Sequence, residues 1–179
     1  MLKRIRGFTL IELLIVVAIL GILAALLIPN AITAIQKAKQ KSTMKDVAVI
    51  STAITDYVTD NGVAPIQTTG TYTGSSPFYN DLSPFYIKVM PTTDQWGTGF
   101  NVFCGTSSAQ YGIAAANDDD FLVASLGRDG EVEGFTFVAT DPEKGLQVVS
   151  HGDHFNRDLV QWNGSWIRAP RTASKAGGV

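Results

Sequence analysis

Apolar residues fall along this chain in two regimes. From Phe8 to Ile28 they run for 21 residues, broken only by Thr9, Glu12 and Gly21. At ~1.5 Å of rise per residue, a helix of that length crosses the hydrocarbon core of a bilayer. Beyond Pro29 the pattern becomes amphipathic. Met44, Val47, Ile50, Ile54 and Tyr57 recur at helical spacing, with Lys45, Asp46, Thr52, Asp56 and Thr59 elsewhere, as expected of a helix with one face packed on a domain. Asp60-Asn61-Gly62 supplies the stop. A helix over 8–61 is ~80 Å long. Its first half has only lipid or sister helices for partners, and its second half packs on its own globular domain.

The remainder reads as a β-rich domain behind a connector. Residues 62–99 are rich in Gly, Ser, Thr and Pro. Within them Thr68–Ser76 reads as a flexible loop, and Phe78, Leu82, Phe85 and Tyr86 predict a short helix after Ser76-Pro77. Strands are expected at Phe100–Cys104, Gln110–Ala116, Phe121–Leu126, Phe135–Thr140 and Leu146–Ser150, with a hairpin turn at Asn117–Asp120. Gln161–Trp166 reads as a second hairpin turning at Asn163-Gly164. The pattern divides the chain into a leader (1–7), an apolar helix (8–30), an amphipathic helix half (31–61), the connector (62–99), an antiparallel β-rich region (100–168) and a flexible tail (169–179). The fold class is α+β: a long N-terminal helix whose second half packs on a small antiparallel sheet.

Charge and cysteine content narrow the picture. The chain carries 14 basic and 16 acidic side chains, a formal −2; without Lys3, Arg4 and Arg6 of the leader it carries −5. This mildly acidic balance gives no electrostatic basis for binding nucleic acid. The single cysteine, Cys104, excludes an intrachain disulfide. A secretory signal peptide fits poorly, because the apolar run exceeds the usual h-region and Leu23-Ala24-Ala25 is followed by more apolar residues. Orientation is not fixed by charge, since Lys37, Lys39, Lys41 and Lys45 balance the basic leader. Glu12 is the anomaly. A carboxylate at that depth costs on the order of 2.5–3.5 kcal/mol on insertion scales, so a plain membrane anchor leaves it unexplained.

Gly7-Phe8-Thr9-Leu10-Ile11-Glu12, followed by the apolar run, resembles the prepilin signature of type IV pilins and type II secretion pseudopilins. The resemblance implies cleavage after Gly7 by a prepilin peptidase, N-methylation of Phe8, and packing of mature subunits into a helical filament. It also implies a leader in the cytoplasm and a domain in the periplasm before the chain leaves the bacterial inner membrane. The new α-amine of Phe8 would lie about one helical turn from Glu12 and near the positive end of the helix dipole. The two charges could neutralise each other within one subunit or between neighbours, setting axial register in the second case. Gly21 and Pro29 weaken the helix between them. They read either as the membrane edge or as a stretch that unwinds on filament entry.

Further segments narrow the branch. Tyr57–Gly62 with Pro65, Asp94-Gln95-Trp96-Gly97 after Pro91, and Ser125-Leu126-Gly127-Arg128-Asp129-Gly130 are similar to segments of major pseudopilins, with Gln95 where those carry proline. Residues 135–179 run past the usual end of that domain. Many family members also close a C-terminal loop with a disulfide, so here something else must pin that region. Calcium, which takes oxygen ligands, is implied for the last of these loops. Asp129 is the first expected ligand, with Asp120 and Glu131 after it, in a region that also offers Asp118, Asp119, Ser125 and Glu133. His151-Gly152-Asp153-His154 is a weak zinc signal and reads as a surface turn. No catalytic grouping has persuasive spacing.

The expected function is therefore that of a structural, non-enzymatic filament subunit, the major pseudopilin of a type II secretion system. A type IV pilus pilin and a membrane-tethered periplasmic binding domain are the alternatives. The implied partners are further copies of the chain, the inner membrane, the prepilin peptidase, and the assembly platform and ATPase of the machinery.

Overall fold

The computed structural model describes residues 8–67 and 70–171. It divides into two compact units at Lys37/Ala38, through which helix α1 (Leu10–Asn61) runs. Thr9 caps the helix: its hydroxyl accepts from Glu12 N–H at 3.3 Å, and its own N–H and Oγ1 donate to Glu12 Oε2 at 2.9 and 2.7 Å. This is a capping box, which satisfies helix-end donors reciprocally. Gly62 ends the helix in the left-handed conformation, φ 74°, and returns its N–H to Val58 O at 2.7 Å, as a C-terminal glycine should.

In the first unit every described residue from Phe8 to Ile35 is exposed. Helix α1 continues through Pro29, so the proline does not end it. Asn30 Nδ2 donates to Leu26 O and Thr33 Oγ1 to Pro29 O, so side chains satisfy carbonyls beside the proline.

In the second unit Val47, Ile50 and Ile54 of α1 are fully buried, each contributing about 1.5–3 kcal/mol of apolar burial. They meet Phe78 and Leu82 of α2 (Pro77–Leu82), and Phe100, Val102, Phe121 and Val123 of the sheet. The six strands are β1 (Gly70–Thr71), β2 (Asn101–Cys104), β3 (Phe121–Ser125), β4 (Leu146–Val148), β5 (Leu159–Trp162) and β6 (Ser165–Arg171). Their spatial order is β1-β2-β3-β5-β6-β4. All pairs are antiparallel except β4 with β6.

β3 is buried at every position, which requires cover on both faces. Phe121 and Val123 face the α1 core, while Leu122 and Ala124 join Ile113, Val160 and Ile167 in a second cluster, with Tyr111 and Phe137 against it. This second layer corrects two expected strands. Gln110–Ala116 and Phe135–Thr140 are irregular segments whose apolar side chains cover the sheet's far face. Asn117–Asp120 does turn, but β3 pairs with β2 and β5 rather than with 110–116.

The connector is also more ordered than expected at 70–72. Gly70 and Thr71 pair with β2, and Tyr72 is buried with its hydroxyl on Pro91 O; Thr68 and Thr69 lie outside the described residues. Ala169, Pro170 and Arg171, assigned to the tail, complete β6. The rest of the tail lies outside the described residues. The Asn163-Gly164 turn has both φ angles positive, 46° and 77°, as a two-residue type I′ hairpin requires.

Candidate functional site

The residues expected to direct processing and assembly lie at the start of α1. Gly7 is outside the described residues. Phe8 immediately precedes the helix and is 77% exposed. Glu12 sits in the first turn with Oε2 engaged by Thr9. A Cβ at Gly21 would meet nothing within 4 Å, so no contact among the described residues requires Gly21. From Leu10 to Ile35 the helix displays Leu, Ile and Val side chains around its circumference. It is the one helix among the described residues long and apolar enough to cross a membrane. Such a surface must be covered by lipid or protein.

A second constellation closes around the loop after β3. The two motifs 94–97 and 125–130 are brought together: Ser125 Oγ donates to Asp94 Oδ2 at 2.7 Å, while Asp94 Oδ1 accepts from Trp96 N–H and Thr98 N–H. Gln95, at the position where the similar segments carry proline, uses its N–H on Thr43 Oγ1 and its amide on Asp46 Oδ2 of α1. Proline could make neither bond.

Loop 127–133, which follows β3, packs against residues 155–158 just before β5. Gly127 has φ 70°, and a Cβ there would come within 2.7 Å of Arg157 O and 2.8 Å of Asn156 O, so only glycine fits. Arg128 N–H donates to Phe155 O at 2.8 Å, and Arg128 Nε to Asn156 Oδ1 at 2.8 Å. At the far end of the loop, Glu133 N–H donates to Asp158 Oδ2 at 3.1 Å, and Tyr111 OH donates to the same oxygen at 2.7 Å.

Asp158 is completely buried, and its Oδ1 has no hydrogen-bond partner. Burial pushes its carboxyl up to about 6; the Tyr111 and Glu133 hydrogen bonds oppose that, and the nearby charges of Glu133 and Asp129 add to it. Burial also raises the Tyr111 hydroxyl well above the usual phenol range. Glu133 itself is paired with Arg168, whose guanidinium lies 4.8 Å from the Phe135 ring centroid. This pair and the β5–β6 hairpin fasten the C-terminal region without a disulfide.

The expected calcium ligands are therefore not one group. Asp120 precedes β3 and Asp129 follows it, so a five-residue strand of ~3.3 Å per residue stands between them. Both Asp120 oxygens are used, on Asn117 N–H and Asn163 Nδ2. Glu131 is exposed and donates its N–H to Asp129 Oδ1 at 3.3 Å. Among the described residues no three His, Cys, Asp or Glu side chains gather closely enough to hold a metal between them. Asp129 acts on Asp158 only through its charge. Sequence reasoning missed Asp158, which stands outside any motif in an irregular stretch before a strand. His151 and His154 face each other at 6.0 Å between ring centroids, with His154 Nδ1 on Val148 O, an arrangement that serves the local turn.

Residues 2–28 match the family described as the prokaryotic N-terminal methylation motif. The type II secretion system core protein G of Vibrio cholerae is 32% identical over 168 residues, covering 90% of this chain and 94% of that protein. The Aeromonas hydrophila protein of the same name is 32% identical over 137 residues, 72% of this chain and 87% of its own length. The Pseudomonas aeruginosa one is 34% identical over 138 residues, 74% and 89%. No solved structure matches the chain at a significant level. An N-terminal methylation motif on an exposed apolar helix, ahead of a domain aligned over most of these relatives, leads to one assignment: the chain belongs to the family of type II secretion system core protein G, the major pseudopilins.

Proposed function

We propose that this chain is the repeating structural subunit of a type II secretion pseudopilus, a filament component rather than an enzyme. The observation that carries the reading is the first unit of α1. It presents an apolar surface exposed from Leu10 to Ile35, with one carboxylate, Glu12, in its first turn. Such a helix rests in the inner membrane with the leader cytoplasmic and the domain periplasmic. It then exchanges lipid for copies of itself. The relatives' shared name supports a secretion role over a surface pilus.

Processing follows from the same segment. Cleavage after Gly7 frees the Phe8 amine for methylation. That amine or a neighbour's then meets Glu12, whose Oε1 is not used by the Thr9 capping box. Gly21 and Pro29 give the segment between them the weakest helical backbone of the apolar half, where unwinding on filament entry costs least. The prepilin peptidase, assembly platform and ATPase are the partners this route requires. Intact-mass analysis of the chain from cells with an active prepilin peptidase tests the first step. The expected product begins at a methylated Phe8, and Gly7→Val leaves the full-length precursor in the membrane. A membrane-resident product retaining Met1–Gly7 in those cells would overturn the reading.

A further inference from the structure

The exposed side of α1 in the second unit changes sign along its length. Lys41, Lys45, Val49, Thr52, Asp56 and Asp60 follow one another at steps of three and four residues, and all are exposed. Such steps keep them on one stripe of a helix. The stripe is basic at one end, uncharged in the middle and acidic at the other. Among the described residues the ion pairs are Glu133–Arg168 and Glu143–Arg171, and neither involves α1. The acidic end also carries a receiving surface. Phe85 is 81% exposed and stands edge-on to Tyr86 at 4.8 Å between ring centroids. The Tyr86 hydroxyl donates to Asp60 Oδ2 at 3.1 Å. Asp56, Thr59, Asp60, Phe85 and Tyr86 line one shallow recess. Carboxylates beside an exposed aromatic ring suit an ammonium, by charge and by its attraction to the ring face.

We propose that this stripe is a head-to-tail contact between copies of the chain: Lys41 and Lys45 of one copy dock on Asp56 and Asp60 of the next, with a lysine in the recess beside Phe85. The inference rests on the reading of the chain as a filament subunit, and names a contact within that filament made by the second half of α1. Lys41 and Asp56 are 15 positions apart, and so are Lys45 and Asp60. One displacement of parallel helices, ~22 Å at ~1.5 Å per residue, therefore closes both pairs together. At ~3.6 residues per turn the same step turns ~60° round the helix. The lysines and the aspartates thus lie on adjacent sides of the stripe, which suits copies related by rotation about a filament axis. A contact between different ends of one surface leaves an end open on each outer copy, so it extends without closing. Exposed ion pairs add little to stability. Their part here is to fix the displacement and to reject other registers, in which like charges meet.

The test expresses the full chain in cells with the secretion machinery and measures sheared filaments. Lys41→Glu with Lys45→Glu makes the stripe wholly acidic, and Asp56→Lys with Asp60→Lys makes it wholly basic. Each altered chain alone should lose most of its filaments, while its domain melts as the unaltered one does, because all four positions are exposed. Expressed together, the two should restore filaments that contain both chains, since each supplies the end that the other lacks. Geometry is read separately by a short bis-maleimide. In purified filaments, a chain carrying Lys41→Cys and Asp56→Cys should crosslink into a ladder of oligomers, and a chain carrying either change alone should not. If the unaltered chain forms no filaments, the filament reading fails and takes the contact with it. If the unaltered chain assembles but either charge-reversed chain also assembles normally alone, the filament reading stands and the contact is refuted. Loss in both chains without rescue on co-expression refutes it too, and places another component of the machinery on the stripe.

Discussion

The two parts of α1 form one continuous helix and have opposite surroundings. Up to Ile35 no described position is buried, although nearly all of Leu10–Ile28 is Leu, Ile, Val or Ala. From Gln40 onward the helix buries a stripe that includes Val47, Ile50 and Ile54, while Lys45, Val49 and Asp56 stay exposed. A stripe identifies a helix whose partner lies on one side, here its own sheet. An unstriped run identifies a helix surrounded by partners, and none of those is found among the described residues of this chain. Exposure of large side chains in the first part is therefore the signature of assembly, while burial in the second is the signature of folding.

The comparison breaks most sharply at Glu12. Glu12→Val removes the one ionisable side chain between Phe8 and Ile35 and, on the proposed processing, leaves the Phe8 amine without a counter-charge. Membrane insertion and domain melting should be unchanged, and sheared pseudopili should be lost or nearly so on electron micrographs and immunoblots. Normal filament yield would remove Glu12 from assembly. The opposite outcome is expected in the second part. Ile54→Ala deletes a fully buried side chain, at a cost of about 2–5 kcal/mol. That should lower the melting temperature of the domain by roughly 5–15 °C. A shift below a degree or two in calorimetry would mean that the stripe does not hold the domain.

Much of this contrast is written in local patterns. The apolar run, the Val47–Ile50–Ile54 stripe, the Gly62 stop, the Pro77 start of α2 and the Asn163-Gly164 turn each depend on a few adjacent residues, and each appears where the pattern places it. What was illegible depends on distant partners. Tyr111, Ile113 and Phe137 alternate as strand residues would, yet they cover the second face of β3 from irregular segments. Alternation reports burial, and cannot tell a ladder of backbone hydrogen bonds from a loop lid. The motif that carries Phe8 and Glu12 was legible because it is contiguous. The surroundings of Asp158 were not, because its neighbours come from two distant places in the chain, Tyr111 and the loop that carries Asp129 and Glu133.

A smaller effect sharpens the comparison within the domain. Cys104 lies in the α1-facing core, and burial pushes its thiol up to about 12. The native chain at pH 8 should therefore resist maleimide, and denaturant should release one reactive thiol per chain. Rapid labelling without denaturant would show that this core opens readily.

That quiet thiol makes the central claim directly measurable. Single cysteines can be placed at Leu13, Leu20 and Val47 with Cys104 left in position, and labelled with a maleimide in detergent-dispersed subunits and in purified filaments. Leu13 and Leu20 are each 58% exposed and Val47 is fully buried. The account predicts that the first two label in dispersed subunits and are protected in filaments, while the third is protected in both. Leu13 and Leu20 cysteines that label equally fast in filaments would contradict it.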